Sequence, residues 1–216
     1  MEDLVKQEST PEETQERQEL IKDILDVEWA MFTAVNNVGG PAECQSQDET
    51  FKIMRSAQFY TWSLNTLELY HRDVLEARAQ GRNLMTEKYA RMMSVTHPDE
   101  YAEIAGALPG VPAESLDLVE TIAAQFELWD KAVEKEFPRL RGRGRAKNED
   151  SQVGSTPTAN TYMIGELLTY SYKTLESLFK DMEYALTYKK NMVREQLEAT
   201  VMQYGYKDLE TAEQNQ

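Results

Sequence analysis

The chain is short of cysteine, of histidine and of basic charge. Its single cysteine, Cys44, excludes an intrachain disulfide and any multi-thiolate metal site. Only two histidines are present, His71 and His97, and neither belongs to an HExxH pair or to the Glu-x-x-His repeat of di-iron bundles. No metal and no cofactor are therefore expected. A lone cysteine with no histidine adjacent in sequence is read as a small apolar residue and not as a nucleophile.

Lys and Arg number 23 against 38 Asp and Glu, a formal charge of −15 at pH 7. Such a field repels phosphate backbones and anionic lipid, so neither nucleic acid nor a membrane is an expected partner. No apolar run approaches the roughly 18 residues that cross a bilayer. The acidic start MEDLVKQEST has neither the basic nor the apolar region of a secretory signal. These absences together predict a cytoplasmic protein.

Strand-like alternation is also missing. What is present is 41% hydrophobic and 28% charged residues arranged at helical spacing. Prolines 11, 41, 98, 109, 112, 138 and 157 and nearly all glycines fall between periodic segments. The expected fold is all-α, an irregular helical bundle of about six to eight helices in one domain spanning residues 1–216, with frayed tails at 1–10 and 207–216.

Thr10, Pro11 and early acids predict a first helix to about Asn36. Asp48 is expected to cap a second helix of some 30 residues, from Glu49 to Gln80. Short helices at 84–95 and 100–107 and a long one at 113–137 follow. Residues 139–160 read as a long loop carrying Arg139, Arg141, Arg143, Arg145 and Lys147, a lid or a solvated segment. The clearest apolar stripe, Ile164 to Leu186, predicts one helix, and 191–204 the last. No internal repeat is evident.

Polar residues on faces that ought to be buried are the candidates for chemistry, because an unpaired buried charge costs several kcal/mol. Arg55, Gln58 and Trp62 share one face of the second helix, with Tyr70 and Asp73 farther along. Tyr162, Glu166, Thr169, Tyr170 and Lys173 share one face of the late helix, where Gly165 allows close approach of a backbone or a ligand. Glu28 and Trp29, with Glu87, Lys88, Tyr89 and Arg91, are expected to converge on the same space.

The strings NNVGGPAECQSQDETFKIMRSAQFYTW, GRNLMTEKYARMM and TYMIGELLTYSYKTL resemble a bacterial family known as a domain of unknown function, DUF4125. The resemblance runs from about Asp26 to Glu210. The family pattern has Arg after the GG pair and Ser before QF, where this chain has Pro41 and Ala57, and a TSxETY-like string where this chain reads STPTANTY. The resemblance implies no activity. It places the motif residues at Gly39, Gly40, Cys44, Gln45, Asp48, Arg55, Gln58, Trp62, Glu87, Lys88, Tyr89, Arg91, Tyr162, Glu166, Tyr170 and Ser171.

The leading expectation is a cofactor-independent enzyme, of lyase or hydrolase type, acting on a small polar metabolite that bears a carboxylate. Glu166 or Glu28 would be the general base and Tyr162 or Tyr170 a proton or hydrogen-bond donor. Arg55, Gln58, Trp62, Tyr89, Arg91 and Gln45 would bind the substrate. The alternative is a non-catalytic helical module that binds a partner protein or a small effector, with Met85, Met92 and Met93 among its contacts. A homo-oligomer stays open. Burial discriminates between them: an enclosed cavity lined by Arg55 and Glu166 favours a ligand, and a filled core beside an exposed apolar patch favours a partner.

Overall fold

The computed structural model describes residues 10–37, 40–142 and 157–216. Gly39 of the glycine turn and Arg143, Arg145 and Lys147 of the basic segment lie outside them; the described start of the expected long loop, residues 139–142, is helical instead, with Arg141 paired to Asp130.

Among the described residues there is no strand, and the chain forms eleven α-helices. They are α1 (Pro11–Thr33), α2 (Asp48–Phe59), α3 (Leu64–Ala79), α4 (Leu84–Thr96), α5 (Pro98–Ile104), α6 (Ala113–Glu136), α7 (Pro138–Gly142), α8 (Ala159–Leu167), α9 (Tyr172–Thr187), α10 (Met192–Gln203) and α11 (Leu209–Gln214). The all-α expectation holds, with more helices than periodicity suggested.

The start of α1 is as read: the Thr10 hydroxyl accepts from the Glu13 amide while Glu13 accepts from the Thr10 amide, satisfying two donors the first turn leaves open. Asp48 is not a cap; it is the first residue of α2 and pairs with Lys52 at 2.9 Å. Nor does the predicted tail fray after 207. Asp208 caps α11, whose Leu209 and Ala212 are buried with Val133, Phe137 and Val201 in a second small core.

The expected 30-residue second helix is two helices, because Ser63 stops one and starts the next. Its extended backbone (φ −68°, ψ 160°) leaves the helical region, and its hydroxyl accepts from the Thr66 amide. The late helix breaks in the same way at Ser171, whose hydroxyl accepts from Thr174.

These two breaks belong to an internal repeat, contrary to the expectation of none. The strings TWSLNTLELYHRD and TYSYKTLESLFKD share Thr61 with Thr169, Ser63 with Ser171, Thr66 with Thr174, Leu67 with Leu175, Glu68 with Glu176 and Asp73 with Asp181. Their contacts are reciprocal. The Ser63 amide (2.9 Å) and Thr66 hydroxyl (2.7 Å) donate to Asp181, and the Ser171 amide (2.9 Å) and Thr174 hydroxyl (2.7 Å) donate to Asp73. Burial raises the pKa of both aspartates, against the same kinds of hydrogen bond.

The correspondence continues outward. Gly81 (φ 69°) ends α3 and Lys189 (φ 54°) ends α9, the two in the same left-handed conformation. Asn83 and Asn191 cap α4 and α10 with nearly identical backbone angles. Their side-chain amides donate to the carbonyls of Met31 in α1 and Trp129 in α6, which fixes the register of α1 against α6. In that register buried Ile21, Ile24 and Leu25 correspond to buried Val119, Ile122 and Ala123.

Packing obeys the same exchange. Helix α1 packs on α2, α3 and α4, as α6 packs on α8, α9 and α10; α4 crosses to α8, α10 crosses to α2, and α3 meets α9. Reciprocal contacts of this kind are the mark of a twofold relation. The chain is thus two four-helix units, α1–α4 and α6 with α8–α10, interlocked about a pseudo-twofold axis at the α3–α9 contact. Close approach at each crossing needs a small residue, and Ala57 and Gly165 occupy equivalent positions. A Cβ on Gly165 would lie 2.7 Å from Met92 Cγ and 3.0 Å from the Lys88 carbonyl oxygen, so the backbone that approaches there is that of α4.

Candidate functional site

Beside the axis the helices bring together four charged side chains. Arg55, from α2, donates through Nε to Glu28 Oε2 (2.8 Å) and through Nη2 to Glu28 Oε1 (2.5 Å), the planar fork matching a carboxylate from α1. Its Nη1 reaches Gln58 Oε1 and Glu166 Oε1, each at 2.7 Å. Glu166 Oε1 also accepts from Gln58 Nε2 (3.0 Å) and the Tyr170 hydroxyl (2.6 Å), while Oε2 accepts from Lys88 Nζ of α4 (2.5 Å). The Tyr70 hydroxyl donates to Glu28 Oε1 at 2.6 Å.

Two carboxylates thus face two cations in a charge-balanced, hydrogen-bonded set. Glu28 is 1% exposed and Arg55 and Glu166 8% each. Aromatic rings wall it: Tyr70 and Tyr170 have centroids 4.7 Å apart, Trp62 stands edge-on to both, and the guanidinium of Arg55 lies 4.8 Å from the Phe59 ring. Lys88 keeps 12% of its side-chain surface, the most of the four charged groups, against 10% for Glu166 and Arg55 and 1% for Glu28, so Lys88 and its partner Glu166 lie toward the outer edge of the set. Tyr162 stands at that edge, its ring 5.9 Å from Lys88 Nζ and 6.3 Å from the Tyr89 ring.

Burial works against the charge on Glu166, but Arg55 and Lys88 outweigh it and hold its pKa well below the usual carboxylate range. Burial likewise opposes the charge of Arg55, yet Glu166 and Glu28 raise its pKa well above the ordinary value. Burial, then the neighbouring carboxylates, push the Tyr70 and Tyr170 hydroxyls well above 10, so both stay protonated and act as hydrogen-bond donors.

Of the residues expected at the site, Glu28, Arg55, Gln58, Trp62, Glu166 and Tyr170 converge, and Tyr162 and Tyr89 flank the edge. Two are engaged elsewhere. Gln45 closes the end of α1, donating to the Phe32 and Val35 carbonyls and accepting from Asn37 and the Ala42 amide. Arg91 donates to the Pro109 carbonyl at 2.8 Å. Nearby Glu87 is taken by Arg82. Tyr70 and Lys88, expected near this space but given no role there, are members. Tyr70 shared the Arg55 face in the sequence, and Lys88 stood in the string GRNLMTEKYARMM.

The repeat supplies a comparison within the molecule. Glu28, three residues before Met31, corresponds to Phe126, three before Trp129; Arg55 corresponds to Met163 and Tyr70 to Leu178. The same frame therefore closes with apolar side chains in the second unit, where Phe126 and Leu178 are core residues and Met163, partly buried, packs against the core.

Among the described residues no cluster of His, Cys, Asp and Glu is arranged to hold a metal ion, and no helix is long and apolar enough to cross a membrane. No curated protein and no solved structure matches the chain. A family model does, over residues 18–214, and the chain belongs to that family, DUF4125, described as a protein of unknown function.

Proposed function

We propose that this protein binds a small carboxylate-bearing metabolite at the Lys88–Glu166 edge and carries out acid–base chemistry on it without a cofactor. By burial alone, the pairing of Arg55 with Glu166 at 2.7 Å beside an exposed apolar groove weighs toward a partner-binding module; what supports the ligand reading is the difference between the two units. A buried ion pair replaced by apolar residues of similar volume is often neutral or stabilising. The second unit has that replacement, so folding alone gives no reason for Glu28, Arg55 and Tyr70.

In this reading Lys88 takes the carboxylate of the substrate. Drawing Lys88 toward that anion removes one of the two cations that depress the proton affinity of Glu166, which becomes a stronger base as substrate arrives. Arg55, clamped by Glu28, keeps Glu166 in place. Tyr170 holds its oxygen through a hydrogen bond, and Tyr162 stands beside Lys88 as a donor to the substrate. Trp62 fixes the two buried tyrosines. Proton abstraction or addition of this kind belongs to lyase or hydrolase chemistry; hydride transfer would require a redox cofactor.

The test is a thermal-shift screen of mono- and dicarboxylates on the wild type and on Lys88→Met. A ligand at a hundred times its Kd stabilises by about 2.7 kcal/mol, a rise of several degrees in a chain of this size. The rise is expected for wild type and not for Lys88→Met. If no compound shifts the wild type, or a shift persists in Lys88→Met, the network is a structural lock and the reading fails.

A further inference from the structure

The second unit differs from the first on its surface as well as in its interior. Between α6 and α9 runs an open groove of about 560 Å³, with Met182 on its floor and Leu128, Phe179 and Leu186 along its walls. Leu128 is 62% and Leu186 44% exposed. The register that pairs α1 with α6 and α3 with α9 sets Ala30 opposite Leu128, His71 opposite Phe179 and Arg78 opposite Leu186. The equivalent surface of the first unit is more polar, although Leu75 stands opposite Glu183, and it also carries the Lys22–Asp26 ion pair. The fold does not need large apolar side chains here, and leaving them in water is unfavourable.

Charge selects the occupant. Glu120 and Glu183 stand among the residues lining the groove, no Lys or Arg does, and the whole chain carries −15. A second copy would bring like charge to the same rim. We propose that the α6–α9 groove docks one amphipathic helix of a partner protein, with apolar anchors at i, i+4 and i+7 and Lys or Arg flanking them. Leu128, Phe179 and Leu186 take the anchors, and Glu120 and Glu183 meet the basic flanks. The proposal does not depend on any chemistry at the Lys88–Glu166 edge.

A display library of helical peptides, Leu, Met or Phe at i, i+4 and i+7 and Lys or Arg at the remaining exposed positions, tests it on the full chain. Enriched peptides are labelled and titrated against wild type, Leu128→Asp, Ala30→Asp and Lys88→Met, each shown folded by circular dichroism. Binding is expected to fall at least tenfold in Leu128→Asp and to stay unchanged in Ala30→Asp and Lys88→Met. It is also expected to vanish when Glu replaces the peptide's basic residues. An absence of enriched peptides, or binding indifferent to Leu128→Asp or to peptide charge, overturns the proposal. So does dimerisation of the wild type, by sedimentation equilibrium, that Leu128→Asp abolishes, since the groove then belongs to a second copy.

Discussion

Moving the second unit's residues into the first separates the two roles open to the buried charges. The triple variant Glu28→Phe, Arg55→Met, Tyr70→Leu removes one negative and one positive group and leaves Lys88 paired with Glu166 at 2.5 Å, so the interior stays balanced. Phe is larger than Glu, and Met and Leu are smaller than Arg and Tyr, so total volume changes little. Replacing a buried pair by apolar residues is neutral or stabilising by roughly 1–4 kcal/mol. Imperfect repacking subtracts about 1–3 kcal/mol. The triple variant is therefore expected within a few kcal/mol of wild type.

Glu28→Gln is the control. It leaves the guanidinium of Arg55 buried with half its negative partners, a defect that costs about 3–5 kcal/mol. At roughly 2–4 °C per kcal/mol for this chain length, its Tm falls by on the order of 6–20 °C. Urea unfolding followed by circular dichroism ranks the three proteins. A triple variant with a midpoint at or below that of Glu28→Gln would show that the ionic network holds the first unit together, and the inference drawn from the second unit would collapse.

The repeat also makes local predictions. Lys189 (φ 54°) adopts at the end of α9 the left-handed conformation that Gly81 adopts at the end of α3. Lys189→Gly is expected to stabilise by about 1 kcal/mol, read as a Tm rise of a few degrees, and a fall in Tm refutes it. Thr66→Val and Thr174→Val each delete a hydroxyl bond to a buried aspartate at 2.7 Å, a loss of about 1 kcal/mol; Thr66→Val also removes the 2.7 Å contact with the Ser177 hydroxyl, so chemical denaturation is expected to show the larger loss at Thr66, and a larger loss at Thr174 would refute this.

The helices were legible because amphipathic spacing and caps are local. The two breaks were legible in principle too, since Ser-x-x-Thr-Leu-Glu stands at both Ser63 and Ser171, but a continuous apolar stripe outweighed the cap. The repeat stayed hidden for a different reason. Apolar positions at helical spacing recur in any bundle, and at the positions that distinguish the units the residues have changed type, Glu28 to Phe126 and Arg78 to Leu186. The site was half legible. Spacing shows which way a side chain faces and not what it meets, so Arg55 and Glu166 could be picked out as buried polar residues. The main-chain carbonyls that occupy Arg91 and Gln45, contributed by segments distant in sequence or by the end of α1, could not be foreseen.

One contact explains why the two units need to differ. Gln58 and Glu166 are equivalent positions, and they touch each other across the axis at 3.0 Å, with Nε2 donating to Oε1. Two identical units would place Glu against Glu or Gln against Gln there. The first sets like charges together in a buried site, which raises the pKa of one of them and protonates it. The second removes the anion that Arg55 and Lys88 share. Only a pair of unlike residues gives one carboxylate, held charged by two cations and steadied by an amide. Once the symmetry is broken at the axis, the second unit contributes only Glu166 to the buried charges of the set, and its cations and second carboxylate, Arg55, Lys88 and Glu28, all come from the first unit. The other unit is left free to fill its interior with Phe126 and Met163 and to present Leu128 and Leu186 on its surface.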